Sequence, residues 1–277
     1  MTTTQINGTQ IYWEIHGENG DPIVLVHGSW GDHQNWAAVV PTLSRSFRVL
    51  TYDRRGHSRS ERPPGQGSVR EDVADLAALL EHLQHSPAHI IGNSFGASIV
   101  LRLASERPEL FRSLIVHEPP LFGLLADDRE ATPALGAVQE RISAVVRLLT
   151  AGDSAGGARQ FVETIAFGPG AWQELPVEVR NTFVFNASTW LDEVRDPEVM
   201  EIELDRLHGF PAPTLLSIGE RSPPFFALVA GRLARALSHA VRQTYPGAGH
   251  VPHLSHPENY VRVITEFIQG AAERHVR

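Results

Sequence analysis

Short apolar runs alternate with amphipathic stretches along most of the chain, and this alternation constrains the fold more than any other feature of the sequence. Runs with the length of buried strands lie at 22–28, 47–53, 88–93, 113–118, 213–219 and 240–247. Stretches with helical spacing lie at 35–44, 69–83, 95–106, 226–237 and 257–269. Apolar strands that alternate with helices predict the α/β class, with a mostly parallel sheet covered by helices on both faces. Alternating residues around Asn7-Gly8 predict a β-hairpin at the N-terminus.

The alternation is interrupted between residues 121 and 209. This stretch is rich in helix-forming residues, contains no run that we would assign to a strand, and includes a glycine-rich segment at 151–157 that predicts a flexible link. We therefore divide the chain into a first core segment at 1–120, a helical cap at 121–209 and a second core segment at 210–277. Ligands of open parallel sheets bind beyond the carboxyl ends of the strands, so we expect the cap to lie over that edge.

Composition and charge argue against several classes of partner. The chain has 277 residues, which suits one core with an insertion. Its 24 basic and 32 acidic residues give a net charge of −8, which argues against nucleic-acid binding and against a polybasic contact with a membrane. The N-terminus lacks a signal-peptide pattern, and no apolar stretch approaches the ~18 residues that span a bilayer. The absence of cysteine rules out disulfides and is compatible with a reducing compartment, so together these features lead us to expect a cytoplasmic protein. We expect a small-molecule partner, and the sequence leaves a homodimer open.

The stretch Gly92-Asn93-Ser94-Phe95-Gly96 carries the chemistry that the sequence predicts. It has the pattern G-x-S-x-G and lies between an apolar strand and an amphipathic helix, which is the context of a nucleophile held on a sharp strand-to-helix turn. Such a turn needs small residues two positions before and after the serine, and both are glycine. Ser94 is therefore the candidate nucleophile, exposed near the positive end of the following helix.

A serine hydroxyl needs a base within hydrogen-bond reach, and His250 is the candidate base. It lies in a glycine-rich loop just beyond the last predicted strand, at the same sheet edge as Ser94 and C-terminal to it. His253 and His256 follow at intervals of three residues, which suggests a metal site as an alternative. Prolines next to both residues keep a helix from presenting the three rings on one face, and no acid or cysteine cluster joins them, so we expect no metal.

The transition state of acyl transfer carries an oxyanion, which backbone N–H groups must stabilise. The amide of Phe95, directly after the candidate nucleophile, is one candidate donor. The other is expected in the loop after the strand at 22–28, where Ser29 is the first choice. Trp30 is its neighbouring candidate and a candidate substrate contact. Arg54, in the segment DRRGHSRS, is interpreted as structural.

The order of four motifs along the chain resembles that of the α/β-hydrolase superfamily. These motifs are HGSW at 27–30, DRRGHSRS at 53–60, GNSFGA at 92–97 and GAGH at 247–250. The resemblance covers nearly the whole chain and implies an eight-stranded, mostly parallel sheet with a helical cap. In most members, the acid that orients the histidine is an aspartate three positions after the glycine that ends the penultimate strand. Here that glycine is Gly219, and the position holds Ser222, so the usual acid is absent.

A subset of the superfamily places this acid after the strand that follows the nucleophile helix, and Glu118 holds that position here. The segment VHEPP at 116–120 resembles the CHELP segment of zearalenone lactonases, which implies that Glu118 orients His250. The adjacent prolines restrict the backbone around the carboxylate, which suits a preorganised group. Glu220, one residue after the usual glycine, is the alternative acid.

Two further segments resemble those of the zearalenone lactonases. The segment PGAGHVPHLSHP at 246–257 is similar to their histidine loop, and NASTW at 186–190 is similar to a cap segment that ends in a substrate-contacting tryptophan, here Trp190. The chain departs from them at HGSW and at His253, where an aromatic residue is expected.

A serine nucleophile with a histidine base and oxyanion donors suits attack on a carbonyl carbon. We therefore expect hydrolysis of a carboxylic ester or lactone through an acyl-enzyme, with no cofactor. The resemblance implies a bulky, largely apolar lactone such as zearalenone as the preferred substrate.

Two other functions stay open at this point. The first is hydrolysis of a C–C bond in a β-diketone-like or vinylogous substrate. Such a substrate would carry a carboxylate, so a cap arginine converging on Ser94 would favour this function. The candidates for that arginine are Arg141, Arg147 and Arg159. The second is a non-catalytic receptor for small molecules on the same fold.

Overall fold

The computed structural model describes residues 2–275 and contains one eight-stranded sheet. The strands are β1 (Thr3–Ile6), β2 (Thr9–His16), β3 (Pro22–Val26), β4 (Arg48–Tyr52), β5 (Ala88–Asn93), β6 (Phe111–His117), β7 (Thr214–Gly219) and β8 (Val241–Tyr245). Their order across the sheet is β1-β2-β4-β3-β5-β6-β7-β8. The pairs β1–β2 and β2–β4 are antiparallel, and every other neighbouring pair is parallel. The predicted fold class is therefore confirmed, including the N-terminal hairpin.

Eleven α-helices accompany the strands in the part of the chain that the structure describes. They are α1 (Val40–Leu43), α2 (Val69–His82), α3 (Phe95–Glu106), α4 (Thr132–Thr150), α5 (Ser154–Phe161), α6 (Ala171–Glu174), α7 (Val177–Phe185), α8 (Ala187–Arg195), α9 (Pro224–Ala236), α10 (Pro252–Ser255) and α11 (Pro257–His275). None of these helices combines the length and the apolar character that a bilayer crossing requires.

The two faces of the sheet bury separate apolar clusters because successive strand residues point to opposite sides. In β3, Val24 and Val26 join the cluster covered by α2, α3 and α9. Ile23 and Leu25 join the cluster on the other face, which is covered by α1 and α11. All five residues of β3 and all six of β5 are buried, as expected for central strands of a sheet with helices on both faces.

The segment between β6 and β7 is helical, and within residues 118–213, all of which the structure describes, no strand occurs. Helices α4 to α8 lie here. Residues of this segment form a third apolar cluster. Trp30, in the loop after β3, also packs into this cluster. Both ends of the segment pack against the core. Leu121 and Leu125 at its start and Leu207 near its end belong to the apolar cluster that includes α9.

Two local predictions are wrong. The helix predicted at 35–44 is split into a 3-10 turn, His33–Trp36, and the short helix α1, because Pro41 has no N–H to donate to the preceding turn and occupies a first-turn position instead. The flexible link predicted at 151–157 is helical from Ser154 onward. The carboxylate of Asp153 accepts a hydrogen bond from the amide of Gly156 at 2.8 Å and caps α5.

Candidate active site

Ser94 lies on the sharp turn between β5 and α3, with φ 56° and ψ −124°. Two glycines make this turn sterically allowed. A Cβ atom on Gly92 would lie 2.5 Å from the carbonyl oxygen of Gly96, and one on Gly96 would lie 2.3 Å from the carbonyl oxygen of Val26. The Ser94 hydroxyl does not cap α3, so it is left available to a ligand.

The loop after β3 packs directly against this turn. A Cβ atom on Gly28 would lie 3.0 Å from the Cβ of Ser94, so the loop approaches the serine closely and brings Ser29 beside it. Phe95 is the first residue of α3. The first N–H groups of a helix have no partner inside the helix, so the Phe95 amide is free to meet a negatively charged oxygen.

Glu118 contacts the imidazole of His250, with 2.6 Å between Oε2 and Nδ1. Its other oxygen, Oε1, accepts a hydrogen bond from the amide of Gly219 at 2.7 Å. The carboxylate is 1% exposed and its residue has φ 46°, so both its position and its partners are fixed by the surrounding structure.

The charge state of Glu118 decides the tautomer of His250. Burial raises the pKa of the Glu118 carboxyl, but the hydrogen bond from His250 and the nearby ring of His117 outweigh this effect and lower the pKa to about 2. The carboxylate is therefore ionised and can only accept, so Nδ1 of His250 carries the proton and donates it. Nε2 is then the nitrogen that can accept a proton.

Glu220, the alternative acid, has a different partner. Its Oε2 accepts a hydrogen bond from the amide of Gly247 at 2.7 Å and shapes the turn that precedes the histidine loop. The loop is also held from the other side, because Asn93 donates through Nδ2 to the carbonyl oxygen of His250 at 3.0 Å. The ring of Phe226 stacks on His250, with centroids 5.0 Å apart.

Ser94 and His250 line the same cavity, but among the described residues no hydrogen bond joins their side chains. The hydrogen bond between Glu118 and His250 is thus formed, whereas the one between His250 and Ser94 is not. This is common without a ligand, because catalytic hydrogen bonds often tighten only when substrate is bound.

Two cavities meet at Ser94 and His250. The first has a volume of about 300 Å³ and a mostly apolar lining from α4, α8, α9 and the segment after β6. The second has a volume of about 380 Å³ and lies toward α7 and the 3-10 turn after β3. The two share the following lining residues: Ser29, Ser94, Phe161, Ala166 and His250.

The two tryptophans expected to contact substrate lie in different positions. Trp190 is 5% exposed and lines the first cavity. Trp30 is fully buried behind it, with ring centroids 5.3 Å from Trp190 and 4.8 Å from Phe161. Trp30 therefore supports the cavity wall and does not face a ligand.

The three cap arginines also differ in position. Arg147 is exposed in the last turn of α4 and does not line either cavity at Ser94. Arg141 lines the first cavity, where its guanidinium donates to the carbonyl oxygen of Thr164 at 3.0 Å. Arg159 instead contacts Glu163 on its own helical segment, with 3.2 Å between the charged atoms.

The histidines that follow His250 take structural positions. His253 is 1% exposed and its ring packs 4.4 Å from that of Trp36, measured between centroids. Burial lowers its pKa to about 3, so the ring is neutral and replaces the aromatic residue expected there. His256 precedes α11, and its carbonyl oxygen accepts a hydrogen bond from the amide of Tyr260, as predicted for a residue at the start of the last helix.

Within the described residues, one group of buried acids and histidine has ligand atoms within 4.8 Å of one another, namely Asp32, His33 and Asp53. These atoms already have protein partners. Asp53 contacts Nδ1 of His33 at 2.6 Å and accepts from the amide of Arg59 at 2.9 Å, while Asp32 accepts from the hydroxyl of Ser58 at 2.8 Å. The group therefore fits a structural role in joining the loops after β3 and β4.

Sequence reasoning missed Glu193, a buried carboxylate on α8 that lines the first cavity. It accepts hydrogen bonds from the hydroxyl of Ser29 and from Nη2 of Arg54, the latter at 2.5 Å. Burial raises its pKa to about 7, although Arg54 and Ser29 act in the opposite direction. The available signal was its spacing of three residues from Trp190, which places both on one face of a helix.

Comparison with known proteins shows the relationships of the whole chain. The alpha/beta hydrolase fold family matches residues 21–257. The zearalenone hydrolase of Bionectria ochroleuca is 26% identical over 276 residues, which cover 97% of each chain. The crystal structure of an alpha/beta hydrolase from Sphaerobacter thermophilus is similar with a TM-score of 0.77 and 25% identity, covering 96% of this chain and 99% of that chain.

Several other curated relatives match over a shorter stretch, and the matched part spans less than half of their length. One of them is the 2-hydroxy-6-oxo-2,4-heptadienoate hydrolase of Pseudomonas putida. It is 37% identical over 126 residues, which are 43% of each chain.

Proposed function

Because the chain belongs to the alpha/beta hydrolase fold family, we propose that it is a serine hydrolase that cleaves a carboxylic ester or lactone through an acyl-enzyme. The observation that carries this proposal is the hydrogen bond between Glu118 and Nδ1 of His250, formed at the edge of an apolar cavity that also exposes Ser94. Nucleophile, base and orienting acid are the three groups that such chemistry requires.

In the proposed reaction, Ser94 Oγ attacks the carbonyl carbon of the substrate and His250 Nε2 takes the hydroxyl proton. The amides of Phe95 and Ser29 stabilise the negative charge that develops on the carbonyl oxygen. His250 then delivers the proton to the leaving oxygen, and the acyl-enzyme forms. A water molecule activated by His250 attacks the acyl group and releases the acid, and for a lactone the alcohol and the acid are the two ends of one product.

Glu118 acts through His250 in this mechanism. Its ionised carboxylate fixes the tautomer that leaves Nε2 as acceptor and stabilises the imidazolium that forms when the serine proton is taken up. Since the pKa of Glu118 is about 2, the carboxylate stays ionised wherever the histidine can work as a base. Loss of such an orienting acid lowers turnover by roughly 10⁴-fold.

The lining of the first cavity supports a bulky, apolar substrate, and a lactone such as zearalenone is the preferred class. Aromatic and aliphatic side chains form most of its walls, among them Phe122, Val138, Phe161, Trp190 and Phe225. Its volume of about 300 Å³ is at the lower end of the range for small-molecule sites. The near-full-length relative named zearalenone hydrolase supports the same class.

The test is hydrolysis of a panel of esters and macrolactones by wild type and by Ser94→Ala. We expect turnover of at least one apolar member by wild type and none above background by the variant. A panel without turnover would overturn the reaction class. Turnover that survives in Ser94→Ala would overturn the role of the serine, and ligand binding without turnover would favour a receptor.

A second candidate function is hydrolysis of a C–C bond next to a carbonyl in a substrate that carries a carboxylate. Arg141 favours it, because this cation lines the cavity that contains Ser94. Comparison of wild type with Arg141→Gln on an anionic β-diketone and on a neutral ester separates the two candidates. Loss of activity on the diketone alone would support C–C hydrolysis, whereas unchanged or absent diketone turnover would exclude it.

A further inference from the structure

We propose that the buried ion pair of Arg54 and Glu193 is a positioning device, through which the cap holds the two residues that supply the oxyanion donors. This inference rests on the proposed function, because it assigns the amides of Ser29 and Phe95 to the oxyanion. Glu193 and Arg54 are positioning residues in this account, since they act through Ser29 and Phe95.

Glu193 reaches the first of these residues directly. Its Oε2 accepts a hydrogen bond from the hydroxyl of Ser29, in the loop after β3. A serine in this loop therefore has two separate uses, because its amide can face the substrate oxygen while its hydroxyl ties the loop to the cap. Glu193 is only 7% exposed, so water competes weakly for this hydrogen bond.

Arg54 reaches the second residue. Its guanidinium lies over the ring of Phe95, 4.5 Å from the centroid, and Nη2 donates to Oε1 of Glu193 at 2.5 Å. Its amide donates to Nε2 of His27 at 3.0 Å, which fixes the arginine to the loop that carries Ser29. One carboxylate on the cap is thus linked to Ser29 by a hydrogen bond and to Phe95 through an arginine.

The same helix carries a wall of the substrate cavity. Trp190 and Glu193 are three residues apart on α8, so they lie on one face of the helix, and both line the first cavity. A substrate that contacts Trp190 therefore contacts the same helix whose Glu193 positions the oxyanion donors. This link makes the position of the cap a determinant of turnover as well as of binding.

The charges around the pair come from three elements. Arg54 lies after β4, with its Nε 3.4 Å from Oδ1 of Asp72 on α2, and Nη2 also lies 3.3 Å from His57. Asp192 precedes Glu193 on α8 but pairs with Arg62 at 2.7 Å. Asp192 is therefore a matched control, because it joins the same helix to the core without touching Ser29 or Phe95.

The test compares the steady-state kinetics of Ser29→Ala, Glu193→Ala, their double variant, Glu193→Gln and Asp192→Asn on one apolar ester. We expect Ser29→Ala and Glu193→Ala each to lower kcat about tenfold with KM within about twofold, a fraction of the loss seen when an oxyanion donor itself is removed. The double variant should lose no more than Glu193→Ala alone, because that variant already removes both the Ser29 contact and the Arg54 contact. Glu193→Gln keeps one acceptor oxygen for Arg54, and its NH2 group can donate to the Ser29 hydroxyl, which also accepts, so this variant should stay within about threefold of wild type.

A second readout separates positioning from general stability. Ser94 Oγ adds to the carbonyl carbon of an aryl trifluoromethyl ketone while His250 Nε2 takes the hydroxyl proton, which leaves the former carbonyl oxygen as an oxyanion in the proposed hole. The affinity for this ketone should fall about tenfold in Ser29→Ala and stay unchanged in Asp192→Asn. If Glu193→Ala does not fold, Ser29→Ala decides the question through this affinity and through kcat.

Additive losses in the double variant, unchanged ketone affinity in Ser29→Ala, or equal effects of Ser29→Ala and Asp192→Asn would each overturn the inference. In those cases Ser94→Ala would still be inactive and the proposed function would stand. Activity that survives in Ser94→Ala would instead overturn the proposed function itself.

Discussion

Two residues of the candidate site, Ser94 and Glu118, have positive φ angles of 56° and 46°. Side chains rarely adopt this conformation, which costs about 1–3 kcal/mol at a residue other than glycine. Each is held by its surroundings. The amide of Ser94 donates to the carbonyl oxygen of His117 at 2.9 Å, and both carboxylate oxygens of Glu118 have partners. The strained geometry is therefore fixed before substrate arrives, as catalytic preorganisation requires.

Gly96, two positions after Ser94, allows a test of the steric account of the turn. Gly96→Ala places a Cβ 2.3 Å from a backbone oxygen that cannot move independently of β3, so we expect loss of activity and a fall of several degrees or more in the thermal midpoint. The measurement is thermal unfolding alongside ester hydrolysis.

Gly231→Ala is the matched control, because it also lies inside a helix but meets no atom within 4 Å. Alanine favours helix over glycine by about 1 kcal/mol, so this control should be neutral or slightly stabilising. A Gly96→Ala variant as stable and active as the control would contradict the steric account of the turn.

Local motifs are sufficient to select Ser94, His250 and Glu118, because each stands at a fixed offset from a strand end or a glycine turn. They are insufficient for Glu193, whose partners Ser29 and Arg54 are more than a hundred positions away along the chain. The three-residue spacing from Trp190 indicates only that Glu193 shares a helix face with it, and nothing local identifies the partners of the carboxylate. Such pairing is a property of the folded chain, and Arg54, interpreted from sequence as structural, gains its further role there.

At the scale of elements, Asn186 joins the cap to two core loops. This residue lies between α7 and α8 and is fully buried. Its Nδ2 donates to the carbonyl oxygens of Trp30 and Gly31 at 3.1 and 2.9 Å, and its Oδ1 accepts from the amide of Ser58 at 2.8 Å. The amide side chain thus satisfies backbone groups from loops that would otherwise bury them unpaired.

Asn186→Ala should therefore destabilise the junction of cap and core. The change leaves the half-buried Ser58 amide and the carbonyl oxygens of Trp30 and Gly31 without their partner, which costs about 1–3 kcal/mol. Denaturant unfolding measures the loss, and limited proteolysis locates it if cleavage rises first between α7 and α8. Asn181→Ala, an exposed asparagine on α7, is the control and should change neither. Equal stability of the two variants would remove Asn186 as an anchor.

The positions of strands and helices can be predicted from this sequence where a hydrophobic pattern repeats. They are harder to predict where a single residue determines the boundary of an element. The runs around β3, β5 and β7 are mostly apolar, so their positions follow from burial on both faces. The helix predicted at 35–44 ignores Pro41, and the link predicted at 151–157 ignores the capping carboxylate of Asp153. In both cases a single residue, a proline that lacks an N–H donor or an aspartate that caps a helix, outweighs the average composition of the segment.

At the scale of the whole molecule, a set of buried histidines makes stability depend on pH. Burial lowers the pKa of each of them from the usual 6.5, to about 3 or about 4 in four cases. The fifth, His57, is lowered well below its usual value. The set is His27, His57, His89, His117 and His253. All five rings stay neutral in the folded protein under conditions in which the unfolded chain would bind protons.

The protein should therefore lose stability as the pH falls from about 7 to 5. The unfolded state binds more protons than the folded state in this range, so the free energy of unfolding decreases with decreasing pH. Five groups with a raised pKa act in the opposite direction, namely Glu193 (about 7), Asp72 (about 6), His33, Asp32 and Asp192. The histidines outnumber them, because burial also lowers the pKa of His85, which makes six. The measurement is the urea midpoint at pH 5, 6, 7 and 8.

His253→Phe gives the control for this prediction. Phenylalanine fits the aromatic contact with Trp36 and has no proton to bind, so the variant should lose less stability than wild type between pH 7 and 5. A midpoint that rises or stays constant as the pH falls, or an identical slope in the variant, would contradict the account.

The central claim is that Glu118, and not Glu220, orients the histidine base, and turnover by two isosteric variants tests it most directly. In Glu118→Gln the amide can donate to Nδ1 and stabilise the wrong tautomer, so we predict a fall in kcat of about 10³–10⁴-fold with little change in KM. Glu220→Gln changes only a turn contact and should stay within about twofold of wild type. Near-normal turnover by Glu118→Gln, or the large loss in Glu220→Gln instead, would contradict it.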